Sequence, residues 1–326
     1  MQYEETGKLI GGLGGLYEIL LDQGTTPLSG GAIFARAKGK FRHEALSPLV
    51  GDRVRVCFEE GAFVQEGDAV RAATDGGGAV IAEILPRRNA LIRPPMANLD
   101  LLCITFAAAR PAPVLETVDK LISIAEFHGI TPVIVVGKCD LAPEEAARLC
   151  DIYRTAGFDT FAISSEDGTG IDALRAFLQV RAPGKTVAFA GASGVGKSTL
   201  LNALFPTLAL QTGEISQKIQ RGKHTTRRVE LHPITGVAAG YVADTPGFSM
   251  LDFVRFDFFG KDDLPDTMRE FAPYIGCCRY KKCTHVREEG CAVLEAVREG
   301  RISSSRHASF VAMFDALKNK QDWSRK

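Results

Sequence analysis

Residues 191–205, GASGVGKSTLLNALF, constrain the fold more than any other stretch of this chain. They match G-x-x-x-x-G-K-[ST], a loop whose glycines let successive backbone amides turn toward an anion. Such a loop works only between a strand that delivers it and a helix whose positive end faces the phosphates. Both are present in the sequence. KTVAFAG is an apolar run ahead of the loop, and Leu200, Leu201, Leu204 and Phe205 recur at helical spacing behind it. Gly191, Ala192, Ser193, Gly194, Val195, Gly196, Lys197, Ser198 and Thr199 are therefore candidate nucleotide contacts. Lys197 is expected at the β- and γ-phosphates and Ser198 on Mg²⁺. The loop stands far along the chain, although phosphate loops commonly open their domain.

The preceding sequence has the matching rhythm. From Leu99, the runs LDLLCITFAA, TPVIVVG and DTFAISS alternate with the amphipathic stretches VLETVDKLISIAEFHG, EEAARLCDIYRTAG and IDALRAFLQV, which predicts parallel strands with covering helices. VVGKCDL closes the second run and resembles the N-K-x-D motif of GTPases, with Gly137, Lys138 and Asp140 as base contacts. A carboxylate at Asp140 pairs with guanine N1–H and N2–H, whereas adenine would leave it unpaired. AISSEDGTG adds Ser164 and Ser165 as a second base loop. After the phosphate loop come GKHTTRR, with Thr225 and Thr226 as candidate Mg²⁺ ligands, and YVADTPGF, with Asp244 for Mg²⁺ and the Gly247 amide for the γ-phosphate. Ordinary GTPases place the base motifs last. Here they come first, the order of a circular permutation.

Two further segments flank this core. Residues 1–88 hold the strand-like runs LYEILL, GAIFARA, DRVRVCF and AVIAEIL between glycine-rich turns, the spacing of a small antiparallel barrel of OB or SH3 type. Arg36, Lys38, Lys40 and Arg42 alternate there, and one strand face carrying all four beside Phe41 would suit RNA. RRNALIRPPMAN reads as a linker. Residues 89–255 form the α/β domain, and residues 256–326 read as helical, with LPDTMREFAPYIG, CAVLEAVREG and SSSRHASFVAMFDALKNK as helices. Within the last domain Cys278, Cys283, His285 and Cys291 suit a closed tetrahedral Zn²⁺ site of structural type, with Cys277 as a spare thiol. Chain order also lets γ-phosphate contact after Asp244 reposition that domain.

Composition excludes little but does bound the class. With 24% charged and 45% hydrophobic residues and a formal net charge of +0, the chain is globular, and its overall charge neither demands nor forbids nucleic acid. There is no apolar run long enough for a bilayer and no secretion-type N-terminus, so a cytoplasmic location and no membrane partner are expected. A monomer is the default.

The permuted motifs, the barrel-like start and the C-x4-C-x-H-x5-C cluster together resemble the circularly permuted, small-ribosomal-subunit-dependent GTPases of the RsgA family. KGKF, GDRV, IRPPMANLD, GASGVGKSTL, GKHTTR and ADTPGF carry the likeness over nearly the whole chain. The resemblance implies an OB-fold domain on ribosomal RNA, a GTPase core using Mg²⁺ with GTP, and a zinc domain that docks on the small subunit. It also implies GTP hydrolysis stimulated by that particle during its late maturation. Two positions depart from expectation. Gly137 stands where the family motif has asparagine, and Phe248 stands where many GTPases carry a water-orienting glutamine, leaving His224 as the in-chain residue for that task. The rival readings are an RNA-binding module with a slow nucleotide clamp, and an unrelated P-loop ATPase.

Overall fold

The computed structural model describes residues 2–26, 28–39, 41, 47–59, 62–66, 69–72, 77–91, 94–206, 229–244 and 259–318. The chain divides into two compact units. One comprises Met1–Leu99, Ala182–Ala188 and Lys223–Pro246, and the other Asp100–Arg181, Phe189–Gly222 and Gly247–Lys326.

The first unit opens with a closed barrel. Its strands are β1 (Gln2–Leu13), β2 (Leu16–Leu21), β3 (Ala32–Ala37), β4 (Arg53–Glu59) and, after a hairpin of β5 (Phe63–Glu66) and β6 (Ala69–Ala72), β7 (Ala79–Ile84). The order is β1-β2-β3-β7-β4, with β4 pairing back onto β1 and β3 parallel to β7. This is the partly Greek-key closure of an OB barrel. Period-two alternation builds its core: Val54, Val56 and Phe58 of β4 point inward, packed with Leu9, Ile19, Ile33 and Ile81. The sequence reading had omitted β1. That strand carries Gly7, Gly11 and Gly12 and shifts register between Leu9 and Gly11, so its alternation is broken where a pattern would be sought.

The described residues of the segment read as a linker, 87–91 and 94–98, include two paired strands. β8 (Ala90–Leu91) and β9 (Met96–Ala97) pair, and Asn89 and Asn98 fasten the hairpin by side-chain bonds to backbone. Asn89 Nδ2 donates to Leu99 O (2.8 Å), Leu99 N donates back to Asn89 Oδ1 (2.9 Å), and Asn98 Nδ2 donates to Gly51 O (3.0 Å). Such local bonds leave no periodic trace in sequence.

In the second unit β10 (Leu101–Ala107), α1 (Leu115–Phe127), β11 (Thr131–Gly137), α2 (Pro143–Thr155), β12 (Asp159–Ala162) and α3 (Ile171–Arg181) follow the predicted alternation. The strands are parallel in the order β12-β11-β10. β10 is buried along its whole length, which is why it reads as a continuous apolar run. β13 (Thr186–Ala190) ends in this unit at the phosphate loop and passes into α4 (Lys197–Leu204). Its first residues belong to the other unit, where Thr186–Ala188 pairs with β15 (Tyr241–Asp244), itself antiparallel to β14 (Glu230–Pro233). There Lys8 of β1 donates to Thr186 Oγ1 (2.7 Å) and lies 4.5 Å from the centroid of the Tyr241 ring.

The C-terminal part of the second unit holds α5 (Ala292–Arg298) and α6 (Ser304–Lys318), as expected. LPDTMREFAPYIG instead forms two short 3-10 turns, Leu264–Thr267 and Arg269–Phe271. Leu264, Met268 and Phe271 still point inward from them, so a helical apolar rhythm survives without an α-helix. Among the described residues no helix is long and apolar enough to cross a membrane.

Candidate nucleotide site and metal-ligand cluster

The phosphate loop is shaped by where a side chain cannot go. Gly191 has φ +151°, and a Cβ there would stand 1.9 Å from Thr105 O of β10. The loop can leave β13 at that point only without a side chain. Gly194 and Gly196 take φ +79° and +96°, and Gly196 precedes the first turn of α4. Val195 is buried under the loop while Ala192, Ser193, Gly194, Ser198 and Thr199 are exposed. Lys197 folds back, with Nζ donating to Gly191 O (2.6 Å) and Ala192 O (2.9 Å). Burial pushes its pKa down from the ordinary lysine value. An anion on the loop would offer this ammonium stronger partners than two neutral carbonyls.

The candidate base residues meet the phosphate loop within the same unit. β11 ends at Gly137, and Lys138 follows in a left-handed conformation, φ 55° and ψ 39°. Its Nζ donates to Gly194 O (2.8 Å) and to Arg110 O (2.5 Å). Asp140 lies in the next 3-10 turn with its side chain exposed, ready to accept hydrogen bonds. The serine loop is tied to the same turn, since Cys139 N donates to Ile163 O (3.1 Å). Ser164 is buried and its Oγ accepts from Glu166 N (3.2 Å) and Asp167 N (3.4 Å), so it shapes the loop, whereas Ser165 is half-exposed. Gly137, Lys138, Asp140, Ser164, Ser165 and the phosphate loop thus gather at the carboxyl ends of parallel strands, where open α/β sheets hold ligands.

Asp244 is the last residue of β15, on the strand beside the start of β13. His224, Thr225, Thr226, Gly247 and Phe248 lie outside the described residues, as do Lys40 and Arg42.

On the barrel, Arg36 and Lys38 are exposed. β3 ends at Ala37, however, so of the two described cations Arg36 lies on the strand and Lys38 just beyond it. Phe41 is in the barrel core, 4% exposed, and is no platform for a base. The apolar residue beside the charges was drawn inward by the hydrophobic effect.

The metal-ligand cluster forms as expected. The ligand atoms of Cys278, Cys283, His285 and Cys291 all lie within 4.8 Å of one another. His285 Nδ1 is 3.6 Å from Cys278 Sγ and 3.5 Å from Cys291 Sγ, and those two sulfurs are 3.8 Å apart. Cys277, the spare, is exposed with its Sγ against Pro273 O (3.9 Å) and faces away from the group. Spacing could not separate two adjacent cysteines; the turn that exposes one and turns the other inward does. Ala292 N–H donates to Cys278 Sγ (3.4 Å), and His285 and Leu294 amides meet Cys283 and Cys291. Burial pushes the Cys283 thiol up to about 12, so a bound cation must displace protons to form thiolates.

Sequence reasoning missed the residue that organises this loop. Glu288 accepts from Thr284 N (2.8 Å), Thr284 Oγ1, Val286 N (3.1 Å) and Arg287 N (3.1 Å). Burial would raise its carboxyl, but those bonds, led by Thr284, bring it down to about 2.

Comparison with known proteins shows the family. Residues 84–254 match the family model described as RsgA GTPase, and residues 6–62 the RsgA N-terminal domain. The small ribosomal subunit biogenesis GTPase RsgA of Geobacillus kaustophilus is 39% identical over 320 residues, covering 97% of this chain and 98% of the relative. Its counterpart in Caldanaerobacter subterraneus subsp. tengcongensis is 38% identical over 316 residues, with 97% and 96% covered. Among solved structures, YjeQ from Thermotoga maritima superposes with a TM-score of 0.76 at 29% identity, covering 98% of this chain and 100% of that one. YloQ, described as a circularly permuted GTPase, gives 0.72 at 30% identity, with 98% and 96% covered.

Proposed function

This chain belongs to the RsgA family of GTPases, and from that premise we propose how its own residues carry GTP hydrolysis and where the protein acts. It is a GTP-hydrolysing enzyme that works in biogenesis of the small ribosomal subunit. The observation that carries the residue assignment is the bond from Lys138 to Gly194, which brings the base motif and the phosphate loop to one place despite their inverted order.

In this reading Asp140 accepts from guanine N1–H and N2–H, Ser165 lines the base loop and Ser164 holds its shape. Lys197 leaves the Gly191 and Ala192 carbonyls for the β- and γ-phosphates, joined by the amides of residues 192–198. The exposed Ser198 hydroxyl is a hard oxygen donor at the first turn of α4, suited to Mg²⁺, and Asp244 with Thr225 or Thr226 would complete its shell. Bound there, Mg²⁺ would supply positive charge against that building on the phosphates. Gly247 meets the γ-phosphate, and His224 positions the attacking water in place of a glutamine.

The Cys278, Cys283, His285 and Cys291 set fits one structural Zn²⁺. Tetrahedral Zn–S and Zn–N bonds of about 2.3 and about 2.0 Å imply sulfur–sulfur and sulfur–nitrogen edges of about 3.8 and about 3.5 Å, and the three spacings among Cys278, His285 and Cys291 match these. Zinc there would cross-link the loop that carries Arg279, Lys281 and Lys282. Those cations and Arg36, Lys38, Lys40 and Arg42 on the barrel are the proposed contacts to ribosomal RNA, in the cytoplasm.

The test is GTP turnover titrated with isolated small ribosomal subunits. Stimulation by at least tenfold is expected, on the order of a positioned catalytic group. No stimulation at any subunit concentration overturns the proposal. Competition by ATP against GTP should be weak for wild type and stronger for Asp140→Ala.

A further inference from the structure

Lys8 of β1 is buried, although lysine side chains are almost never fully buried unless paired. Strand alternation explains where it goes: its neighbour Leu9 enters the barrel core, so Lys8 leaves the opposite side of β1, toward the sheet strands that share this unit. Its ammonium donates to Thr186 Oγ1 (2.7 Å) and stands 4.5 Å from the Tyr241 ring centroid. Thr186 and Tyr241 are register partners of β13 and β15, so one charge from the barrel meets both sides of a single rung. β1 also packs on β14, which pairs with β15 as far as Glu230 and Asp244. An apolar side chain would fill the same place without desolvating an ion. An ammonium adds direction, because once buried it must keep its acceptor.

We propose that Lys8 is a positioning residue for the magnesium site: by fixing the start of β15 against the barrel, it sets where the last residue of that strand, Asp244, is delivered. The inference rests on the reading of Asp244 as a Mg²⁺ ligand. Tyr241 and Asp244 bound one short strand, about 10 Å from end to end, which its pairing with β13 and β14 moves as one piece. The base loops and the phosphate loop belong to the other unit and keep their own bond from Lys138 to Gly194. Nucleotide held without metal therefore does not depend on Lys8.

The experiment titrates Mg²⁺ in steady-state GTP turnover, without ribosomal subunits, for wild type, Lys8→Met, Thr186→Val, the double variant and Lys8→Arg, beside GDP binding measured in EDTA. Lys8→Met should raise the Mg²⁺ concentration for half-maximal turnover about threefold or more, the scale of one hydrogen bond. At saturating Mg²⁺ its kcat should stay within about twofold of wild type, and so should GDP affinity in EDTA, as for a residue that touches no nucleotide. Lys8→Arg should recover part of the loss. Thr186→Val should raise the Mg²⁺ requirement as well, and adding it to Lys8→Met should add little, since both remove one bond. A lysine with only a structural role would instead lower turnover by one factor at every Mg²⁺ concentration, through the fraction folded.

An unchanged Mg²⁺ requirement in Lys8→Met, or a loss uniform across Mg²⁺ concentrations, overturns the inference. If Lys8→Met fails to fold, the double variant decides, because two apolar partners leave no buried polar group unmatched: a raised Mg²⁺ requirement supports the placement and an unchanged one sinks it. Asp244→Asn tells the two failures apart. Should it leave the Mg²⁺ requirement unchanged, the reading of Asp244 falls and the inference with it, whereas a raised requirement there but not in Lys8→Met refutes the role of Lys8 alone.

Discussion

At the scale of single residues, a methyl group at Gly191 would stand 1.9 Å from the Thr105 carbonyl oxygen, a distance no packed carbon tolerates. Neither partner is free to give way, because one ends a sheet strand and the other lies within its neighbour. Gly191→Ala should cost about 3 kcal/mol or more, from overpacking together with the φ of +151°. Gly194→Ala is a fair control, with a positive φ but no atom within 4 Å of the added carbon, and should cost about 1 kcal/mol. Urea melts of the two variants give the order directly; equal losses would refute the steric account. Glu288 offers the same kind of test by charge. Its folded pKa of about 2 lies below the ordinary glutamate value, so its contribution is complete above about 4.5 and is lost as pH falls toward 2. The side chain is partly exposed, so solvent screening limits Glu288→Gln to about 1–2 kcal/mol at neutral pH. The difference in melting between wild type and variant should therefore narrow in acid. Both proteins are compared with a chelator present throughout, so that loss of any bound metal in acid does not enter the difference.

Among elements, α6 is fixed by charge as well as by apolar packing. Arg306 is fully buried and bonds Asp119 of α1 (2.6 Å) and Glu270 of the second 3-10 turn (2.7 Å). Tyr153 of α2 donates to the same Asp119 oxygen (3.2 Å) and packs edge-on to Phe106 of β10, ring centroids 5.8 Å apart. Burial alone would lower the guanidinium pKa, but Asp119 and Glu270 hold it above its ordinary range. Burial pushes the Asp119 carboxyl up even against Arg306. Arg306→Met would leave two buried carboxylates without their cation, an expected loss of about 3–5 kcal/mol in urea denaturation. Replacing all three partners, with Arg306→Met, Asp119→Leu and Glu270→Met, should recover most of it. A triple variant no better than the single one would show that packing, not charge, fastens α6. This network also counts against the expectation that γ-phosphate contact swings the C-terminal part freely, since leaving α1 would strand those charges. None of it was legible in sequence, because Asp119, Glu270 and Arg306 carry no motif and meet only through the fold. The α/β rhythm was legible because its strands are buried end to end, and the phosphate loop because its glycines answer to steric need. Strand β1 was hidden by glycines, and the β8–β9 hairpin by asparagine bonds that have no period.

For the whole molecule, chain order divides the candidate residues between the two units. The unit with the phosphate loop, the base loops and the metal-ligand cluster lacks Asp244, which belongs to the unit with the barrel. Contacts that shape the base and phosphate loops run among themselves, through Lys138 to Gly194 and Cys139 to Ile163. The cluster is supported separately. His307 of α6 donates from Nε2 to His285 O (2.8 Å), and the Phe271 ring packs against His285 and Phe310. Stripping the metal should therefore unfasten the loop between Cys278 and Cys291 while Arg306 still holds α6 on α1. The expected outcome of chelation is a lower melting temperature, GDP affinity within about twofold of the untreated protein, and loss of stimulation by small subunits, since independent sites couple weakly. Metal release followed with a colorimetric chelator, alongside GDP binding on the same sample, makes the comparison. A parallel fall in GDP affinity would mean that the cluster supports the nucleotide loops. Unchanged stimulation would mean that the cysteine loop takes no part in docking.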